Sequence, residues 1–128
     1  MATLQKILHV DDDEDIRTIT RMSLELVGKF EVHQCDSGPQ ALREAPSFSP
    51  DLLLLDVMMP EMDGVETWQK LLEIPALAGT PTIFMTAKAE DSTSRSLLEA
   101  GAIAVVTKPF DPMQLATQLV NAWEKVQS

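Results

Sequence analysis

The chain has 128 residues, enough for one domain with a real core, and its 20 acidic against 10 basic side chains give a net charge of −10. That balance argues against a nucleic-acid surface, which needs clustered Lys and Arg, and suits an acidic pocket that holds a cation or meets a basic partner. A single cysteine rules out an internal disulfide, the first residues lack a signal-peptide core, and no apolar stretch nears the roughly 20 residues that cross a bilayer, so a cytoplasmic protein without membrane contact is expected.

The first strand is predicted over 6–10 and runs into Asp11-Asp12-Asp13-Glu14-Asp15. A helix over 14–27 follows, with Asp13, Glu14 and Asp15 at its amino end, where the helix dipole favours acids. Gly28 stands where that helix wants a left-handed residue. The second strand, 30–35, closes on Cys35, read as a small buried hydrophobe. Pro39 opens the second helix, 39–45, from a first-turn position.

The third strand, 52–56, is four leucines leading into Asp56. An unbroken apolar run reads as a strand buried on both faces of a parallel sheet. Such a strand holds a carboxylate only at its open carboxyl end, and Pro60 and Gly64 mark the loop there. Asp63 belongs most simply to the turn before Gly64. A helix over 64–74, a strand over 82–86 ending in Thr86-Ala87, and a helix over 92–100 closed by Gly101 come next. The fifth strand, 104–107, leads into Lys108-Pro109-Phe110, and the last helix, 112–126, starts at Pro112 with Leu115, Leu119 and Ala122 on its buried face. Trp68 and Trp123 are read as packing residues. His9 and His33 lie within strands without metal-ligand partners at useful spacing, and no function is assigned to them.

Five strands alternating with five helices predict an α/β fold, a parallel sheet between two helical layers joined by right-handed crossovers. All strand ends then share one edge, where Asp11, Asp12, Asp56, Thr86 and Lys108 converge. All but Asp56 have an ordinary alternative taken singly: Asp11 and Asp12 as helix-start residues, Thr86 as a strand threonine, Lys108 as a solvated loop lysine. Together they ask for a different reading.

Asp11-Asp12, the Asp56 of DVMMPEMDG, Thr86-Ala87 and Lys108-Pro109-Phe110, in this order and spacing, resemble the receiver domain of response regulators over essentially the whole chain. The resemblance implies a flavodoxin-like (βα)5 fold of strand order 2-1-3-4-5, which puts the first and third strands side by side. It implies a two-component switch, not an enzyme beyond its own phosphorylation and dephosphorylation, in which Asp56 accepts a phosphoryl group from a sensor histidine kinase or a histidine phosphotransfer protein. Mg2+ would be held by Asp12, Asp56 and the Met58 backbone carbonyl, with Asp11 acting through water, which suits an all-oxygen site awaiting phosphate. Lys108, the Thr86 hydroxyl and the Ala87 amide would take up phosphoryl charge. The family further implies a downstream protein target bound through the fourth helix, fifth strand and fifth helix. A single receiver domain over 1–128 with no output domain is expected.

Receivers usually carry an aromatic residue three positions before the lysine; here it is Val105, and the chain has no Tyr. The fourth helix is therefore expected to carry the response, because residues 88–96 are rich in Ser, Thr and charge and poor in apolar anchors. Met58 and Lys88 flank the pocket, and apolar Met58 cannot orient a water, so slow self-dephosphorylation is expected. A haloacid-dehalogenase-type phosphatase is the enzymatic alternative: Asp11 and Asp13 imitate its first motif, but it leaves Asp56 unexplained and finds only Asp111 beyond the lysine. A receiver-like interaction module without phosphorylation is the other, against which the repulsive cost of clustered carboxylates counts.

Overall fold

A computed structural model describes residues 3–87 and 92–127. Its strands are β1 (Lys6–Val10), β2 (Glu31–Cys35), β3 (Leu52–Asp56), β4 (Thr82–Thr86) and β5 (Ala104–Thr107). All neighbours pair in parallel, in the order β2-β1-β3-β4-β5. The helices are α1 (Glu14–Met22), α2 (Gly38–Phe48), α3 (Gly64–Leu72), α4 (Ser92–Glu99) and α5 (Leu115–Gln127). The expected doubly wound (βα)5 architecture is thus observed.

The leucine run explains the layering. Side chains alternate across a strand, so Leu53 and Leu55 join the core beneath α2, α3 and α4, with Ala41, Trp68, Leu71 and Leu97. Leu52 and Leu54 join the opposite core, with Leu24, Leu115, Leu119 and Trp123. All four leucines are fully buried, each contributing about 1.5–3 kcal/mol by leaving water. Both tryptophans pack as expected: Trp68 meets Phe84 edge-on at 5.2 Å, and Trp123 lends its indole N–H to the Asp51 carbonyl at 3.3 Å.

Helix ends depart from the sequence reading in four places. The first α-helix stops at Met22, and Ser23–Val27 continue as a π-helical turn. There Ser23 Oγ donates to the Pro112 carbonyl at 2.5 Å, and Leu24 is sealed in the core. Gly28 does not adopt the left-handed conformation (φ −85°); Lys29 does (φ 59°). Glycine is needed at 28 for space, since a Cβ there would lie 2.5 Å from the Phe30 ring and 2.9 Å from Ala116. Gly101, by contrast, has the positive φ expected of it.

The second helix runs through Pro46 to Phe48, because Ser49 N–H closes the last turn on the Ala45 carbonyl and Ser49 takes the left-handed cap. The third ends at Leu72, and a 3-10 turn at Pro75–Leu77 replaces its expected tail. The fifth begins at Leu115, not Pro112: Asp111 organises the preceding turn, accepting from Met113 N–H at its carboxylate and from Gln114 and Leu115 N–H at its carbonyl. Leu115 and Leu119 are buried as expected, and Ala122 packs half-buried beside them.

Candidate functional site

The carboxyl ends of β1, β3, β4 and β5 deliver Asp11 and Asp12, Asp56, Thr86 and Ala87, and Lys108 to one edge. They line, with Asp13 and Met58, a cavity of about 240 Å3. A larger hollow of about 880 Å3 between Phe30 and Trp123 lies at the opposite edge of the sheet, away from these groups.

Local structure fixes each side chain. The Asp11 amide extends the ladder by donating to the Cys35 carbonyl at 3.1 Å. Asp13 caps α1, its carboxylate accepting from the Asp15 and Ile16 amides, which leaves Asp11 and Asp12 for the pocket. Asp63 is likewise the cap of α3, accepting from Glu66 N–H at 2.9 Å. Gly64 has no room for a side chain: a Cβ would fall 2.0 Å from the Asp56 carbonyl oxygen. The loop after Asp56 therefore folds directly over its backbone, and Gly64 N–H donates to the Val57 carbonyl at 2.9 Å.

The side-chain oxygens of Asp11, Asp12 and Asp56 lie within 4.8 Å of one another. Asp11 and Asp56 are buried and Asp12 is exposed. Lys108 Nζ bridges the buried pair, donating to Asp11 Oδ2 at 2.9 Å and Asp56 Oδ1 at 2.8 Å. Burial pushes the Asp56 carboxyl up to about 6, helped by the nearby Asp11 and Asp12 charges and opposed by the Lys108 hydrogen bond. Burial alone would lower the Lys108 ammonium, but its bonds to Asp56 and Asp11 outweigh that and hold it above its ordinary value. The Lys108 amide donates to the Thr86 carbonyl at 2.8 Å, registering the two strand ends. Met58 stands over the pocket, 77% exposed. Lys88 and the first part of the 88–96 stretch lie outside the described residues.

Among the described residues the donor set is all hard oxygen: three carboxylates and the adjoining main-chain carbonyls, the chemistry of a small divalent cation that keeps waters.

Two histidines depart from expectation. His33 does have neighbours: its Nε2 is 2.5 Å from Glu44 Oε1, and Cys35 Sγ lies 3.9 Å from the same oxygen. The helix brings Glu44 over the strand, which spacing along the sequence could not reveal. That hydrogen bond already satisfies His33 and Glu44, and burial first, with the Glu44 charge, pushes the Cys35 thiol up to about 12. His9 is fully buried, its imidazole driven down to about 3 by burial and by the Lys108 and Arg17 charges, and it stands beside Asp11. The signal was present: His9 and Asp11 are two residues apart on an extended segment, hence on the same face.

The sequence profile described as "Response regulator receiver domain" matches residues 7–120. This chain belongs to the response-regulator receiver family. It is 39% identical over 111 residues to the alkaline phosphatase synthesis transcriptional regulatory protein PhoP of Bacillus subtilis, covering 87% of this chain and 45% of that protein. It is 36% identical over 123 residues to the transcriptional regulatory protein SrrA of Staphylococcus aureus, covering 96% and 49%. The receiver thus spans less than half the length of these curated relatives. Among solved structures, the chemotaxis response regulator CheY4 of Vibrio cholerae superposes with TM-score 0.85 at 28% identity, covering 94% of this chain and 99% of that one. The receiver domain of the sensor histidine kinase PA1611 of Pseudomonas aeruginosa, with a magnesium ion coordinated in its active site cleft, gives TM-score 0.80 at 27% identity, covering 94% and 98%.

The chain is therefore a receiver of two-component signalling. Nothing in these relationships supports the phosphatase alternative, and Asp111 is engaged in the turn before α5. No helix among the described residues is long and apolar enough to cross a membrane.

Proposed function

We propose that Asp56 is the phosphoacceptor, charged by a phosphohistidine on a sensor kinase or phosphotransfer protein in the cytoplasm, where ATP is at hand. The observation that carries this reading is the Lys108 bridge: one ammonium held between two buried carboxylates, at the edge where open α/β sheets bind ligands. A cation in that position is not needed to build the core, and it matches what a phosphoryl group of dispersed negative charge requires.

Asp12, Asp56 and the Met58 carbonyl would hold Mg2+, with Asp11 acting through water. Bound there, the ion supplies positive charge to the phosphoryl oxygens and relieves the carboxylate repulsion. An Asp56 carboxylate oxygen attacks phosphorus in line, forming the O–P bond as the P–N bond breaks. The leaving imidazole keeps that electron pair and departs carrying its proton. Lys108 leaves its carboxylate bridge for a phosphoryl oxygen, and the Thr86 hydroxyl and Ala87 amide donate to the others. The new group adds about −1.5 to −2 charge and three acceptor oxygens at the sheet edge. Moving a two-state population from 1:99 to 99:1 takes about 5.5 kcal/mol of differential interaction, the order that a few charge-assisted hydrogen bonds provide. The altered surface of α4, β5 and α5 then meets a protein target. Val105, paired with Phe84 across β4 and β5, stands where the family's moving aromatic would be, which leaves α4 as the responding element.

The test is incubation with acetyl phosphate and Mg2+ followed by intact-mass measurement. Wild type should gain one phosphoryl group and Asp56→Asn none; equal labelling of both proteins refutes the assignment.

A further inference from the structure

Among the described residues three buried side-chain donors lack a partner, those of His9, Thr20 and Trp68, and His9 is the one that stands beside the acid cluster. Gln34 Nε2 donates to the Arg17 carbonyl at 2.7 Å, which fixes the orientation of its amide, and the same nitrogen faces His9 Nδ1 at 3.0 Å. His9 Nδ1 must then accept, so the neutral ring carries its proton on Nε2. That nitrogen has no hydrogen-bond partner and is sealed from solvent. It stands 3.9 Å from Asp11 Oδ2, the oxygen that Lys108 now holds at 2.9 Å. Arg17 closes the ring of contacts, its Nη1 donating to the Asp11 carbonyl at 2.8 Å.

The two distances belong together. When Lys108 turns towards a phosphoryl group, Asp11 Oδ2 loses its donor inside a buried site, where an unpaired charged oxygen is costly. An approach of about 1 Å brings the waiting N–H into hydrogen-bond range. We infer that His9 is a positioning residue, a neutral donor that takes over Asp11 Oδ2 when Lys108 is drawn to the phosphoryl oxygens. Gln34 and Arg17 set its tautomer and hold it in place. A neutral donor suits the position because a second fixed cation would compete with the metal for the acid cluster. This inference rests on the phosphoacceptor reading above.

Two measurements test it. In wild type, imidazole 15N and 1H resonances should report the Nε2–H tautomer of His9. The Nε2–H proton should move downfield when beryllofluoride, a phosphoryl mimic, is added with Mg2+. Second, phosphorylation by acetyl phosphate should slow about tenfold in His9→Leu, the effect of losing one hydrogen bond to a charged group, and recover in His9→Gln, whose amide can donate from the same place. An Nδ1–H tautomer, a proton that does not move, or His9→Gln as slow as His9→Leu overturns the inference. The resonance experiment needs no variant, so it decides even if His9→Leu does not fold. Labelling of wild type with an unmoved His9 refutes this inference alone, whereas labelling of Asp56→Asn refutes the phosphoacceptor reading beneath it.

Discussion

Replacing Asp56 by Asn should stabilise the protein, and by an amount the site itself sets. The carboxyl is raised from 3.8 to about 6 in the fold, and its side chain is only 7% exposed. A shift of that size corresponds to roughly 3 kcal/mol between protonation states. The sign follows from the fold binding the proton more tightly than the unfolded chain. Below about 4 both states hold it and no stability is lost; between about 4 and 6 stability falls as pH rises; above about 6 the full cost of ionising Asp56 is present. Asn is isosteric with the neutral acid and can still accept from Lys108. The variant should therefore exceed wild type by about 2–3 kcal/mol at pH 8, and the gain should fade by pH 4. Urea unfolding of both proteins at pH 4, 6 and 8 in EDTA reads this directly. Mg2+ at pH 8 should then stabilise wild type more than the variant, narrowing the gap. An Asn variant no more stable at pH 8, or equally favoured at pH 4, would show that the acid cluster does not strain the fold.

The other predictions probe the scaffold and the lifetime. Gly64→Ala should lose about 2 kcal/mol or more in urea unfolding and phosphorylate poorly from acetyl phosphate, because its methyl meets the Asp56 carbonyl; wild-type behaviour would contradict the described loop. Leu54→Ala should cost about 2–5 kcal/mol by opening a cavity between the sheet and α5, with Asp56 still labelled in the fraction that stays folded. Met58→Asn should shorten the life of the acyl phosphate by giving an attacking water a polar partner above the pocket; an unchanged decay rate measured by mass sets Met58 aside as its determinant.

The sheet was legible because its signals are short and local. Four leucines before an acid, bounded by turn residues, read as a doubly buried strand, and the β3 bounds coincide with that run. The site was legible for a related reason: in a parallel sheet every strand ends at the same edge, so order along the chain becomes proximity in space. Lys108, 52 positions from Asp56, could be set on the same edge on that ground, while the strand order that brings them close comes from the family resemblance. Helix ends were less readable because tertiary packing decides them. Nothing in residues 22–28 announces a π-helical turn, which comes with the Ser23 contact to Pro112 and the closeness of Phe30 and Ala116. The second helix is expected to end at 45, just before Pro46, yet its cap lies at Ser49. Asp11 lies two residues from His9 on the same face, which spacing does show, but Gln34 beside His9 and Glu44 beside His33 come from other elements, and neither of those contacts has a sequence signature.

The hydroxyl of Ser23 on the Pro112 carbonyl and the Lys108 amide on Thr86 fasten the β5–α5 connection at both ends. The ammonium can thus travel only as far as its own four-carbon stem allows, with the chain beneath it held still. On the proposed mechanism, handing the ammonium from the carboxylates to a phosphoryl oxygen would then be a side-chain rotation on a fixed pivot.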